Sequence, residues 1–164
     1  MFFDNLDKTE LEKLEGVGVL TRYEIGSAII EEGMPGSSFG VILTGKAEVR
    51  KRLDGGKHKA LVEIGPFDLI GELGFLGVES RSASVIALEV TEVLSFERKS
   101  FQALAERFPH IGMIVYQNMA RILAERLASN NISLMDTIVW ALGRPRGVTT
   151  EAPGTGGSRF RWAG

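Results

Sequence analysis

The segment FGVILTGKAEVRKRL, residues 39–53, decides the fold that this sequence can adopt. It contains two short runs with β-branched residues, 39–43 and 47–53, and Gly45 lies between them. Short runs of this kind predict β-strands, and the glycine predicts a turn between the two strands. The segment therefore predicts short strands joined directly to one another.

The same pattern extends on both sides of this segment. Thirteen of the 20 glycines lie between Gly16 and Gly77, where they separate further short apolar runs. The predicted strands are Val19–Ile25, Ala28–Glu32, Phe39–Leu43, Ala47–Leu53, Ala60–Ile64, Ala83–Leu88 and Glu92–Phe96. Seven or eight short strands with no helix between them predict an antiparallel sandwich or barrel.

A short helix is predicted before the first strand. It covers Asp4–Leu14, because Asp7 and Glu10 have the spacing of a capping box and the leucines of this segment form one apolar stripe.

Helical periodicity returns after the last predicted strand. Lys99–Phe108 is predicted to be an amphipathic helix, and Pro109 suits the first position of a long helix that continues to Leu142. The weak helix formers of the segment Ser129–Asn131 predict a bend or a break in that helix.

The composition excludes several classes of protein. The chain has no cysteine and only two histidines, so neither a disulfide framework nor a Cys- or His-rich metal centre is expected. No apolar run approaches the roughly 18 residues of a membrane helix. Residues 143–164 hold four arginines and one glutamate, which leaves 15 basic and 20 acidic side chains on residues 1–142. A domain with this excess of acidic side chains is a poor general binder of nucleic acid.

Residues 70–85, IGELGFLGVESRSASV, carry the chemistry of the chain. Gly71 allows a tight turn and a close approach of the backbone to a ligand. Arg81 offers a planar fork to a phosphate, Ser82 adds a hydroxyl donor, and Glu72 can accept a hydrogen bond from a sugar hydroxyl. These parts suit a ligand with one phosphate and an adjacent ribose. The alternative from the residues alone is a surface ion pair between Glu72 and Arg81.

Two motifs of the sequence resemble the cyclic nucleotide-binding domain of the bacterial catabolite activator and protein kinase A regulatory type. The first, similar to the family's phosphate-binding cassette, is Gly71-Glu72-Leu73 followed by Arg81-Ser82-Ala83-Ser84-Val85. The second is the upstream pattern Tyr23, Gly26, Ile29, Glu32-Gly33, Gly36, Phe39, Ile42, Gly45, Ala47 and Val49. The resemblance covers about residues 3–134, including Asn118-Met119-Ala120-Arg121 in the long helix.

The resemblance implies an α+β, mainly β fold. Its core would be an eight-stranded antiparallel jelly-roll β-barrel, a double-stranded β-helix, with a short N-terminal helix and a C-terminal helical subdomain. One cyclic nucleotide-binding domain would cover residues 1–142, with the barrel at about 16–98 and the C-terminal helices at about 99–142. Residues 143–164, rich in Gly, Pro and Arg, are predicted to form a disordered tail.

The resemblance also implies the roles of the site residues. Gly71 and Glu72 would bind the ribose 2′-hydroxyl and Arg81 the cyclic phosphate. The remaining members of the ligand-binding set would be Leu73, Gly74, Ser82 and Ala83.

The base-recognition residues depart from the family. Arg126 and Leu127 stand where the bacterial activators carry hydroxyl side chains that contact adenine. Arg126 is predicted to stack on the purine, and the alternative is a solvated charge on the helix surface.

Three classes of function remain. The first is a regulatory module that binds a 3′,5′-cyclic nucleotide, cyclic AMP (cAMP) rather than cyclic GMP (cGMP), and signals by repositioning its C-terminal helices. The second is a ligand-independent dimeric interaction scaffold of the same fold. The third, an enzyme, has no nucleophile–base pair or metal cluster in the sequence to support it.

The expected setting is a bacterial cytoplasm, in agreement with the absence of cysteine. We expect a homodimer formed through the long helix, an unidentified protein effector, no cofactor, no metal and no membrane contact. The activators of the family bind DNA through a helix-turn-helix domain after the long helix. Only 22 residues follow Leu142, so no direct DNA binding is expected. The chain would be a stand-alone sensor or a piece of a larger protein.

Overall fold

The computed structural model describes residues 1–141, with side chains through Ser129. In this part the chain forms eight strands and four α-helices. In chain order they are α1 Lys8–Glu15, β1 Val19–Tyr23, β2 Ala28–Ile30, β3 Ser38–Thr44, β4 Ala47–Arg52, β5 His58–Ile64, β6 Leu69–Ile70, α2 Glu72–Leu76, β7 Ser84–Ala87, β8 Thr91–Glu97, α3 Arg98–Arg107 and α4 Pro109–Ala141. The predicted tail, residues 143–164, lies outside the described residues.

The strands form two antiparallel sheets of four strands each. One has the order β1-β8-β3-β6 and the other the order β2-β7-β4-β5. The prediction of antiparallel strands with helices at both ends is confirmed. A closed barrel is not found among the described residues, because β3 and β4 lie in different sheets instead of continuing one ladder.

The predicted capping box is confirmed, and it sets the start of α1. The Asp7 side chain accepts a hydrogen bond from the Glu10 amide at 2.9 Å, and the Glu10 carboxylate accepts one from the Asp7 amide at 3.1 Å. The helix therefore begins at Lys8, and the predicted start at Asp4 is wrong. The first residues turn instead, so that Phe2 is fully buried.

Two other predictions are corrected at the level of local structure. The sequence missed β6, which has only two residues, too short to show a period. It also predicted a bend or break at Ser129–Asn131; the break is wrong, because α4 runs without a break from Pro109 to Ala141, and the bend stays a prediction. Helical hydrogen bonds on both sides outweigh the weak propensity of three residues.

The core consists of two apolar clusters. In the first, Phe39 of β3 stacks on Phe96 of β8 with ring centroids 4.9 Å apart and meets the edge of Phe75 of α2 at 4.7 Å. Phe101 of α3 also contacts Phe39, at 5.6 Å. The second cluster joins the two sheets through Ile42, Ala47, Ile64, Ile70, Val85 and Val93. The first cluster therefore packs the helices on one sheet, and the second holds the sheets together.

Polar contacts attach the N-terminal turn to α4. Asn118, which is 4% exposed, donates to the Phe2 and Asp4 carbonyls at 2.9 and 2.8 Å. Arg121 donates to the Met1 carbonyl at 3.0 Å and to the Asp4 carboxylate at 2.9 Å. Buried amides seldom remain without partners, so these bonds fix the segment that carries Phe2.

Gly45 makes the turn by which the chain passes from one sheet to the other. Its φ of +88° lies in the left-handed region. A Cβ placed there would meet the Val90 carbonyl oxygen at 2.4 Å, whereas at Gly26, with φ +81°, nothing lies within 4 Å. Backbone strain is therefore common to both positions, and steric overlap is specific to Gly45.

We expect Gly26→Ala to lower the free energy of unfolding by about 1–2 kcal/mol, the cost of a left-handed alanine. Gly45→Ala should cost about 1–3 kcal/mol more, because the overlap adds to the strain. Urea unfolding of both variants measures the difference. Equal losses for the two variants would contradict the close approach at Gly45.

Candidate functional site

The site is built around the turn from β6 into α2. Gly71 joins them with φ +71°, a left-handed conformation. A Cβ at this position would lie 2.6 Å from Nη1 of Arg81 and 3.0 Å from the Ser38 carbonyl oxygen. Only glycine fits here, because any side chain would enter the space that the guanidinium occupies.

The Arg81 guanidinium is held by main-chain oxygens. Its Nη1 donates to the Ser38 carbonyl at 2.8 Å and to the Gly71 carbonyl at 2.7 Å, and its Nη2 donates to the Ser38 hydroxyl at 2.9 Å. Gly36 and Gly74 also lie against it, since a Cβ at either would come within 3 Å of the guanidinium. Burial lowers the pKa of Arg81, an effect that Glu97 and Glu72 oppose. The group nevertheless keeps its charge, because arginine in proteins is effectively always protonated.

Two hydrogen-bond donors of Arg81 remain for another group. A guanidinium has five N–H donors. Within the described part of the chain, the three bonds above leave the Nε hydrogen and one Nη2 hydrogen unused. Nε and Nη2 form one edge of the planar fork, the geometry that binds a carboxylate or phosphate in a bidentate manner.

Glu72 lies at the first position of α2, and its partner is Arg126 of α4. The residue is 8% exposed, and its Oε1 accepts from Arg126 Nη1 at 3.0 Å. Arg126 Nη2 donates to the Leu69 carbonyl at 2.7 Å. Two readings from the sequence are therefore wrong: Glu72 and Arg81 do not form a surface ion pair, and Arg126 is not a solvated charge. Purine stacking by Arg126 stays a prediction.

The other predicted site residues differ in exposure. Gly74 is buried, Ala83 is half-buried, and Leu73 and Ser82 are exposed. The Ser82 carbonyl accepts a hydrogen bond from Lys51 Nζ at 2.6 Å. The structure thus brings all eight predicted residues into one region, at and around α2.

Sequence reasoning missed four residues that hold this region together: Ser38, Glu32, Lys51 and Arg98. Arg98, the first residue of α3, donates from Nη2 to the Gly74 carbonyl. Glu32 accepts from Lys51 at 2.9 Å, and this bond lowers the pKa of Glu32. These residues come from segments far apart in the chain. Glu32 was part of the quoted family pattern, which gave it no role.

Two other features, a metal-binding cluster and a membrane-spanning helix, are not found among the described residues. Among them no group of three or more His, Cys, Asp or Glu side chains could hold a metal ion. No helix within residues 1–141 is long and apolar enough to cross a membrane.

Comparisons with known proteins agree with this geometry. The family model described as "Cyclic nucleotide-binding domain" matches residues 20–108. The Cyclic AMP receptor protein of Thermus thermophilus is 34% identical over 112 residues, which are 68% of this chain and 50% of that protein. The cAMP-dependent protein kinase regulatory subunit of Mycosarcoma maydis is 33% identical over 107 residues, 62% of this chain and 20% of that protein.

A solved structure shows the same similarity. The crystal structure of Thermus thermophilus catabolite activator protein aligns with a TM-score of 0.72 at 31% identity, covering 81% of this chain and 61% of that one. The chain spans about half the length of the Thermus receptor protein that it matches, 50%.

Arg81 also contributes to stability, because its removal would break three hydrogen bonds, two to Ser38 and one to Gly71, and leave the Gly71 carbonyl with the Phe75 amide as its donor. We expect Arg81→Ala to lower the free energy of unfolding by about 1–3 kcal/mol in the absence of any ligand. Arg22→Ala, which removes an exposed arginine from β1, should change it by less than about 0.5 kcal/mol. Urea titration measures both, and an Arg81→Ala protein as stable as the Arg22→Ala protein would contradict the structural role.

Proposed function

The chain belongs to the cyclic nucleotide-binding domain family, and on that basis we propose that it is a regulatory module that senses a 3′,5′-cyclic nucleotide. One observation carries the proposal. Arg81 is fixed by three hydrogen bonds to Ser38 and Gly71, and its Nε and one Nη2 hydrogen have no acceptor among the described residues, which suits a singly charged phosphate. A cation that is already oriented and partly desolvated binds an anion more strongly than a mobile surface arginine does.

The rest of the cassette supplies complementary groups. Arg81, Ser82, Ala83 and the amides of Leu73 and Gly74 would hold the cyclic phosphate, and Glu72 with Gly71 would hold the ribose 2′-hydroxyl. Glu72 supports this role because its second oxygen, Oε2, makes no ion pair or hydrogen bond within the described residues. A carboxylate has acceptor capacity for more than one donor, so the ribose hydroxyl and Arg126 can share it.

We propose cAMP rather than cGMP as the ligand. Guanine-selective members of the family often carry threonine after the arginine of the cassette, and here Ser82 occupies that position.

The contacts of α2 support a route by which binding would reposition the C-terminal helices. Phe75 of α2, 4% exposed, meets the Phe101 ring of α3 at 5.5 Å and the Tyr116 ring of α4 at 6.1 Å. Arg98 and Arg126 add polar bonds from α3 and α4 to the same short segment. A ligand that shifts α2 therefore moves packed side chains on both helices. It can do so only to the extent that it binds the two arrangements with different affinity.

A second proposal, a homodimer, concerns the outer face of α4. Ile111, Val115 and Met119 are buried. Met113 and Ala120 lie on another face, seven residues apart as in a coiled-coil repeat, and are exposed. An exposed apolar stripe of this kind favours pairing with a second copy. The same surface would serve a ligand-independent scaffold, which is the alternative function.

We infer a cytoplasmic binding module rather than an enzyme, acting on a protein effector.

We expect calorimetric titration to give a cAMP dissociation constant on the order of micromolar, about −8 kcal/mol, and a weaker one for cGMP. Arg81→Lys should weaken cAMP binding at least tenfold, because an ammonium group cannot offer the planar fork. Arg22→Ala, which is distant from the site, should leave the constant unchanged. If millimolar cAMP produces neither binding heat nor a shift in melting temperature, the sensing proposal is contradicted and the ligand-independent scaffold is favoured.

The dimer is tested separately by sedimentation velocity. Ala120→Glu places a charge in the exposed stripe and should convert a dimer to a monomer. Gln102→Glu adds the same charge to an exposed position of α3 and should have no effect. A wild-type chain that is monomeric at all accessible concentrations contradicts the proposed pairing.

A further inference from the structure

Lys51, on β4, contacts the cassette although no sequence motif includes it. We propose that Lys51 is a positioning residue: it holds the Ser82–Ala83 peptide so that the Ala83 amide can donate to the ligand phosphate. This inference rests on the proposed cyclic nucleotide site. It adds the residue that orients the Ser82–Ala83 peptide of that site.

The first step of the argument is the bond itself. Lys51 Nζ donates to the Ser82 carbonyl at 2.6 Å. A trans peptide is planar, and its C=O and N–H point in opposite directions. No cis peptide bond occurs among the described residues. Fixing the Ser82 carbonyl toward Lys51 therefore directs the Ala83 N–H away from Lys51.

The second step is that this amide remains available. Within the described residues the Ala83 N–H donates no hydrogen bond, although Ala83 is half-buried. A partly buried amide without an acceptor is unfavourable unless water or a ligand supplies one. Arg81, two positions earlier, keeps its own free donors, so a phosphate oxygen is the acceptor that suits this segment.

The third step is that Lys51 is itself held in place. Its ammonium group pairs with Glu32 Oε1 at 2.9 Å, and Glu32 Oε2 accepts from the Arg52 amide at 2.8 Å. The Glu32 amide donates to the Ser84 hydroxyl at 3.0 Å. Glu32 thus connects Lys51 to the far end of the same cassette segment.

The main chain of Arg81 is fixed independently. Its amide donates to the Met34 carbonyl at 2.9 Å, and its carbonyl accepts from the Gly33 amide at 2.9 Å. With Arg81 anchored by the turn at residues 33–34 and Ser84 by Glu32, the Ser82–Ala83 peptide between them is oriented by Lys51. Loss of Lys51 would leave this peptide free to rotate while the rest of the segment stays in place.

The chain provides a matched control. Lys59 of β5 lies directly opposite Lys51 in the ladder, with the same charge and an exposed side chain, and makes no contact with the cassette. Lys51→Met and Lys59→Met therefore remove equal charge from adjacent positions. Any difference between them reports the contacts of Lys51 with Ser82 and Glu32 rather than the general electrostatic field.

We expect Lys51→Met to weaken cAMP binding roughly threefold to tenfold, the fold-change of one lost hydrogen bond. Lys59→Met should change it by less than about twofold. Lys51→Arg should restore most of the affinity, since an arginine can also donate to the Ser82 carbonyl. Calorimetry measures all four proteins, and urea unfolding verifies that each is folded. Equal affinities of the Lys51→Met and Lys59→Met proteins would overturn the proposal.

Two NMR readouts separate this inference from the proposed function. In the wild type, cAMP should shift the Ala83 amide proton downfield as it bonds to phosphate, and Lys51→Met should reduce that shift. Without ligand, Lys51→Met should shift the Ser82 carbonyl carbon resonance upfield, because that carbonyl loses its donor, and should leave the Arg81 carbonyl, which accepts from the Gly33 amide, unchanged. If the wild type binds no cAMP, the proposed function fails. An unchanged Ser82 carbonyl resonance in Lys51→Met overturns the positioning role in either case.

Discussion

The cassette depends on the burial of one positive charge without a carboxylate against it. Three of the five N–H donors of Arg81 bond to the Ser38 and Gly71 carbonyls and the Ser38 hydroxyl. Neutral oxygens stabilise the cation without cancelling its charge. An acid in direct contact would give stability but leave little attraction for an anion. The left-handed Gly71 and the lack of side chains at Gly36 and Gly74 follow from the space this group needs.

The carboxylate of the cassette motif, Glu72, has a partner other than Arg81. Glu72 pairs with Arg126, so the two arginines of the region have separate partners. This separation divides the cassette into a cationic part around Arg81 and an acceptor part around Glu72. The same division gives one small segment both hydrogen-bond donors and acceptors, the groups of opposite polarity that the proposed ligand needs.

Much of this arrangement could be predicted from the sequence, since it depends on local signals. Strands such as β4 and the capping box of α1 are encoded within a few neighbouring residues, and the cassette motif marks Gly71, Glu72 and Arg81. The partners of those residues could not be predicted in the same way. Ser38 and Lys51 lie 43 and 31 positions from the residues they hold. Such contacts depend on which sheet each strand joins. The turn at Gly45 sends β3 and β4 to different sheets, and an alternating pattern does not record that choice.

The attachment of the N-terminal turn to α4 has a consequence for synthesis on the ribosome. Phe2 is fully buried, yet the Asn118 amide that fixes its carbonyl follows it by 116 residues. At about 5–20 residues per second, on the order of ten seconds separate the appearance of the two. During that interval the N-terminal aromatic residues lack their final partner and are open to chaperones. The packing of Phe2 therefore waits for α4, and any nascent chain that stops before Asn118 leaves Phe2 without this anchor.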